Sequence, residues 1–423
     1  MRGDPTIVIG GGVTGLAAGR RSGAVVLERA EGPGGICRSY HVRPGSTYAL
    51  AEAPADGDAY RFEVGGGHWL FGGPPDVLRE LAQLSELREY ERVAEVRLGN
   101  AGITVPYPLQ AHVDQLGEDV RHAVAAEMAK QPDDWNPEGA TLGASLVHSF
   151  GQTLFDLFFG PFHDRYTAGL TRDIAPQDAY KSPAPGNAGY NAVFRYPVGG
   201  LDLLTRTIAA DCDIRYGSDV VRIDTARCVV GLADGTEMPY GRLLSTLPLD
   251  RALAVANVTI DEPPDPYTSV LVLNIGGERG PACPTSHWQY EPDSYAGFHR
   301  IGFYSNVDKD FLPVHRRDTH VSMYVERAYP AGTNLDANDI ERYTKAAVDE
   351  LTERGYITSV DVADPSYVET AYTWRRPGST WRDRAIDALA RVGVTQVGRY
   401  ARWHFQGIGD SIAEGFAAGA AAR

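Results

Sequence analysis

The chain opens on a short apolar run, Thr6 to Gly10 (TIVIG), then a glycine-rich turn from Gly11 to Gly15, a short helical stretch from Leu16 to Arg21, and a second apolar run from Ala24 to Glu28. An uninterrupted apolar run between glycines predicts a strand covered on both faces, so the opening reads as a βαβ unit. From about Pro74 to Lys181 the apolar spacing changes to three and four, in PDVLRELAQL and DVRHAVAAEMAKQ, with breaks at Pro132 and Pro137. That spacing predicts a helical insertion. From Ile214 to Asp234 the pattern is strand, turn, strand (VVRID, VVGLADG), and a buried run leads to Ser245, Thr246, Leu247 and Pro248, a return to the first domain. After the proline-rich DEPPDPY at 261–267, the runs SVLVLNI, GFHRIGFYSNV and HVSMYVE predict a second sheet, followed by a helix from about Ala337 to Glu353. The last segment, Gln396 to Arg423, reads as strand, polar loop and alanine-rich helix.

Composition narrows the classes of function. The 423 residues suffice for two to three domains, and 43% apolar with 22% charged residues is ordinary for a globular protein. Forty basic against 55 acidic residues give a net charge of -15, which repels polyanions and speaks against nucleic acid or an anionic membrane surface as partner. An anionic small molecule therefore needs a local basic pocket. Cys37, Cys212, Cys228 and Cys283 form no pair at metal-ligand spacing, so no metal site and no disulfide framework is expected. No run of 18 apolar residues could span a bilayer, and the first strand starts too early for a signal peptide, so a cytoplasmic protein without a membrane partner is expected. The sequence is silent on oligomeric state.

Gly10, Gly12 and Gly15 match GxGxxG directly after a strand, which lets the backbone approach a pyrophosphate and turns a helix N-terminus toward its charge. Glu28 ends the second strand, 18 residues after Gly10, where an acidic residue can accept hydrogen bonds from an adenosine ribose. Together they predict a dinucleotide site. After Glu28, Gly34 and Gly35 allow a second close backbone approach, and Arg38 can meet the pyrophosphate. This pairing resembles the amine oxidase-like group of FAD proteins, as does the far end, where Arg399 follows a strand and Asp410 in GDSI could bond a ribityl chain. The resemblance implies FAD, with Thr14, Val220 and Ser411 completing its binding set. It also implies an α/β fold: a Rossmann-type FAD-binding domain from residues 1–73, 191–250 and 385–423, a helical insertion at 74–190, and a mixed or antiparallel β-sheet substrate domain at 251–384.

Within that group an ordered set of motifs resembles the UDP-galactopyranose mutase family: FEVGGGHWLF at 62–71, VPYPLQ at 105–110, FFGPFHDRYTAGL at 158–170, FRYPVGG at 194–200, SHWQYE at 286–291, FHRIGFYSN at 298–306 and GRYARWHF at 398–405. The resemblance implies a mutase that interconverts pyranose and furanose forms of a nucleotide-diphosphate sugar. Reduced FAD acts as the nucleophile through an N5–sugar adduct and is restored in each cycle, with no net redox change and with NAD(P)H or another cellular donor as the activating reductant. It assigns Arg195 and Arg300 to the diphosphate, His68 behind three glycines to the flavin side, Trp288, Tyr290 and Tyr372 to the substrate cleft, and Tyr107 with Gln110 to the nucleobase. Departures accompany these matches. Val307 and Phe405 stand where the family often presents tyrosines, and His163 and Thr167 replace an Asn and a Trp, which leaves the sugar and the base open.

Two other classes remain. An amine oxidase or desaturase-like flavoenzyme would consume oxygen or another acceptor; its oxidase members commonly carry a lysine near the flavin, for which this chain offers Lys130, Lys181, Lys309 and Lys345. A non-catalytic flavin or nucleotide-sugar binder would keep the cofactor and turn nothing over.

Overall fold

The computed structural model describes residues 4–132, 135–176 and 192–423. The first apolar runs form the centre of a five-stranded parallel sheet in the order Asp213–Arg215, Val25–Leu27, Thr6–Ile9, Arg242–Ser245, Val394–Gln396. Both faces of it are covered, as the uninterrupted apolar runs require. Ile7, Ile9 and Leu243 face a cluster with Leu249, Trp381 and Leu389, while Val8, Val26 and Leu244 face Ala18 and Ala422. The helix after the glycine turn runs Val13–Ser22, and the C-terminal helix Ile408–Ala421 lies along it. Their approach is close because the crossing is glycine against backbone: a Cβ on Gly415 would stand 2.3 Å from the carbonyl oxygen of Thr14, and one on Gly419 2.3 Å from that of Ala18.

A second sheet of seven strands runs in the order Ile357–Thr373, Tyr267–Arg279, His320–Pro330, Arg300–Gly302, Trp288–Tyr290, Ala94–Leu98, Ile103–Pro106. All its pairings are antiparallel except that of Trp288–Tyr290 with Ala94–Leu98. Two of its strands thus come from the stretch expected to be helical. A third strand there, Leu87–Glu91, pairs with Val193–Pro197, which also holds Leu70–Phe71. The expectation of a mostly helical 74–190 therefore needs correction at 87–106, where AEVRL alternates at period two and finds its partners far away in sequence. Helices do occupy Pro75–Leu84, Glu118–Met128, Leu142–Leu154 and Gly160–Tyr166. The end of the expected insertion at residue 190, and Lys181, lie outside the described residues. No helix among the described residues is long and apolar enough to cross a membrane.

Candidate functional site

The glycine turn and the strand ends of the parallel sheet open on a cavity of about 760 Å³. Its lining includes Glu28, Ser218, Asp219 and Val220, the glycine-turn residues Gly12, Val13, Thr14, Gly34 and Gly35, and His68, Arg399 and Tyr400. Each glycine has its own physical reason. Gly10 has φ +99° and would drive a Cβ to 2.2 Å from the Thr246 hydroxyl, and a Cβ on Gly15 would meet the Gly10 carbonyl at 1.8 Å. At Gly12 a Cβ would meet nothing within 4 Å, so the backbone there faces open space, at the start of the helix Val13–Ser22. Gly34 donates its amide to the Gly11 carbonyl at 2.8 Å, which docks the second glycine pair onto the first. The C-terminal helix starts at the same cavity, with Gly407, Ile408 and Ser411 in the lining, so two helix N-termini face one space.

Glu28 holds this turn in shape. Its carboxylate accepts the amides of Gly11 at 2.6 Å and of Ala30 at 2.7 Å. Two carboxylate oxygens offer about four acceptor positions, so a ribose can still be bonded there.

Beyond His68 and Arg399 lies a smaller cavity of about 90 Å³, walled by Trp69, Phe71, Val270, Tyr372 and Phe405, with Arg300 and Glu326 in its lining. His68 and Arg399 border both spaces. The glycines before His68 serve close approach: a Cβ on Gly67 would stand 1.9 Å from the Tyr324 hydroxyl oxygen, and one on Gly66, at φ +77°, 2.8 Å from a Glu326 oxygen. His68 itself is pushed down to about 4, first by burial and then by the Arg399 charge, so the ring is neutral near pH 7. Arg300 pairs with Glu326, which His299 also approaches at 3.4 Å. Burial opposes ionisation of Glu326, but Arg300 and His299 together hold it down to about 2. The Tyr372 hydroxyl is pushed up to about 12 by burial and by Glu326, so it remains a donor. Arg399 lies over the Phe405 ring at 4.5 Å and donates to the Ala371 carbonyl at 3.1 Å.

The structure thus brings Gly10, Gly12, Thr14, Glu28, Gly34, Gly35, Val220, Arg399 and Ser411 to the large cavity, and His68, Arg300 and Tyr372 to the small one or to its border. Gly15 acts one layer behind, in the packing of helix on strand. Other residues lie elsewhere. Arg195 is a correction: Phe194 and Tyr196, its neighbours on a strand, point into the aromatic core, so alternation turns Arg195 away to an ion pair with Glu89. Arg38 is a second correction, since Cys37 lines the large cavity and Arg38, the next residue and extended, faces a different one. Asp410 is exposed on the first turn of the C-terminal helix and outside the lining, which the following Ser411 joins instead. Trp288, Tyr290 and Tyr107 are buried in an aromatic stack, with Tyr107 and Tyr290 at 4.7 Å and Trp288 against Phe71 and Phe194, and neither they nor Gln110 line the small cavity.

The departures noted in the sequence have structural roles. His163 is buried and bonds back through Nδ1 to the Phe159 carbonyl at 2.7 Å, Thr167 meets Thr171 at 3.3 Å, and Val307 is core, whereas Phe405 lines the small cavity under Arg399. Glu326 and Trp69 were not anticipated. A lone acid closing the apolar run HVSMYVE was the available signal for Glu326. Of the lysines, Lys130, Lys309 and Lys345 line neither cavity.

No family model matches the chain. In three dimensions it is similar to the crystal structure of reduced UDP-galactopyranose mutase, with a TM-score of 0.80 at 20% identity over 98% of this chain and 93% of that one. It is also similar to a putative protoporphyrinogen oxidase from Exiguobacterium sp. 255-15, with a TM-score of 0.67 at 15% identity over 99% and 98% of the two chains. A triple mutant of putrescine oxidase redesigned in cofactor binding gives 0.62 at 15% identity over 99% and 98%. The chain has the α/β fold that this mutase and these oxidases share, a parallel sheet joined to a larger mixed one.

Proposed function

We propose that the protein is an FAD-dependent flavoenzyme of the amine oxidase-like group, and within it a mutase that interconverts pyranose and furanose forms of a nucleotide-diphosphate sugar. One observation carries the reading: a single cavity lined by Glu28, by two helix N-termini and by His68 and Arg399 shares the last two residues with a second space lined by Arg300 and Tyr372. The residues fit FAD. Glu28 and Val220 suit its adenosine, the open backbone at Gly12 and the amides at Val13 and Thr14 its pyrophosphate, and Ser411 with Arg399 the flavin half. When bound in its reduced form, the cofactor supplies a nucleophile for the sugar and leaves each cycle unchanged.

The protein's own groups do the rest. Arg300 keeps an Nε–H buried and without a hydrogen-bond partner among the described residues, a donor ready for a diphosphate oxygen, where a charge-assisted bond contributes about 1.5–3 kcal/mol. Glu326 fixes the guanidinium and offsets its charge, so a leaving diphosphate is gripped without being trapped. Neutral His68 can accept a proton from a ring hydroxyl, and the Tyr372 phenol can donate a hydrogen bond. Trp69, Phe71, Val270 and Phe405 give this space apolar walls.

The test is direct. The purified protein should carry, or take up, a yellow cofactor with a flavin spectrum. After anaerobic reduction with dithionite or NAD(P)H it should convert at least one member of a panel of UDP-, GDP- and dTDP-hexoses to a furanose resolved by chromatography, without stoichiometric oxidant. Substrate-dependent peroxide with no ring contraction would replace the mutase by an oxidase. A colourless protein that cannot be reconstituted with FAD would sink the whole reading.

A further inference from the structure

The loop Glu31–Gly35 has a cavity on each side. Gly34 and Gly35 border the large cavity; Glu31, Gly32 and Pro33 border a different one of about 720 Å³, and of all the lining residues only Val64 is common to both spaces. The second space is lined by the strand Ser39–Val42, by Ala49–Leu50, by the end of the helix Leu201–Ala209, and by Asp364–Ser366 on the edge of the large sheet. Its volume lies within the range of about 300–1,000 Å³ typical of small-molecule sites.

Four charged side chains line it, and two are already engaged. Arg206 pairs with Glu52 and Asp202 and donates to the Ala51 carbonyl, Asp364 accepts from the Tyr40 hydroxyl, and Glu31 is exposed to water. Arg38 is different. The residue is half-buried, its guanidinium nitrogens reach water, and it makes no hydrogen bond or ion pair with any described residue. A guanidinium with no protein acceptor keeps its N–H donors free for the oxygens of a ligand that enters the cavity. The lining around it is largely apolar and includes Leu50, Ala209, Pro365 and Tyr216.

We propose that this second cavity binds a small organic anion: a carboxylate or phosphate oxyanion on an apolar or aromatic body, with Arg38 taking the oxyanion and the Leu50–Ala209–Pro365 wall taking the body. The planar fork of Arg38 bonds either oxyanion bidentately. The loop Glu31–Gly35 borders both cavities, so the two sites lie on opposite sides of one segment. The proposal does not depend on which reaction the first site performs.

Titration calorimetry with benzoate and with phenyl phosphate, on protein as isolated and after saturation with FAD, tests it. Inorganic phosphate and neutral benzamide serve as comparators. At least one aromatic anion should bind FAD-saturated protein, more tightly than either comparator, and whichever of benzoate and phenyl phosphate binds better identifies the oxyanion. Arg38→Ala should weaken it at least tenfold, Arg38→Lys less, and Ala209→Trp should block it while Arg38 stays in place; melting curves confirm that each variant folds. Unchanged affinity in Arg38→Ala, competition between the anion and FAD for one site, or no binding of either aromatic anion to the wild-type protein overturns the proposal. Failure of the protein to take up FAD would leave the arm on protein as isolated fully readable, so the two readings fail separately.

Discussion

Arg300 and Glu326 stand opposite each other in register on neighbouring antiparallel strands, and their side chains form an ion pair that is 13% exposed on the arginine and 2% on the glutamate. The pairing makes Arg300 a fixed donor. It also makes Glu326 the anchor of a buried charge cluster that includes His299.

Removing one partner of such a pair leaves the other charge buried alone, which costs about 3–5 kcal/mol. Glu326→Gln should therefore lower the unfolding free energy by about that amount at pH 7, read by denaturant titration. The pH dependence has a definite sign. Glu326 is held at about 2 in the folded chain against an ordinary 4.5, so its contribution is complete above about pH 4.5 and is lost as pH falls toward 2. The gap between wild-type and variant stability should narrow over that window. An equal gap at pH 3 and pH 7 would contradict the assignment.

Glu28 is predicted to act on the cofactor through the backbone as well as directly. Glu28→Ala removes the acceptor for the Gly11 and Ala30 amides and loosens the turn that faces the open space at Gly12. One charge-assisted bond contributes about 1.5–3 kcal/mol, and about 1.4 kcal/mol is tenfold in affinity. FAD binding, followed by flavin fluorescence, should weaken at least about tenfold, while Glu28→Gln, which keeps one acceptor, should weaken it less.

The helix crossing gives a prediction opposite to propensity. Glycine to alanine inside a helix normally stabilises by about 1 kcal/mol. At Gly415 the new Cβ would sit 2.3 Å from the Thr14 carbonyl oxygen, a backbone atom that cannot swing aside. Gly415→Ala should instead cost about 1–3 kcal/mol by overpacking. It should also weaken FAD, because the C-terminal helix carries Ser411 to the cavity. A melting temperature at or above that of the wild-type protein would refute the crossing.

What was legible in the sequence was local. TIVIG, the glycine turn and Glu28 declare themselves because a buried parallel strand and a close backbone turn each demand particular residues at fixed offsets. The helix Ala337–Glu353 begins with a capping box at Asp336 and Asp339, and its limits were readable. The strand Ile357–Thr373 was not, because Asp361, Asp364 and Pro365 break the apolar run that would mark a strand. The strand tolerates them because it forms the edge of the sheet, where one side needs no ladder. Arg38 and Arg195 show the deeper limit. Which face of a strand meets a cavity depends on partners that pair from far away, and a step of one residue sends a side chain to the other side.

His68 gives the sharpest pH prediction. Burial and the Arg399 charge both disfavour its protonated form, and the ring is pushed down to about 4 from an ordinary 6.5. In the folded protein its ring signals in a histidine-resolved NMR titration should stay constant from pH 8 to about pH 5 and move only near pH 4. Arg399→Gln removes the larger of the two charges, Arg399 and Arg300, that act beside burial, and should raise the midpoint, though burial keeps it below 6.5. The stability linkage runs with pH: between about 6.5 and 4 the unfolded chain binds the proton and the folded chain does not, so this site's contribution is complete above about pH 6.5 and is lost as pH falls toward 4. His68→Gln should remove that slope without reversing it. If His68 instead titrates near 6.5 in the folded protein, it is not buried beside Arg399, and it cannot be the neutral proton acceptor at the border of the two cavities.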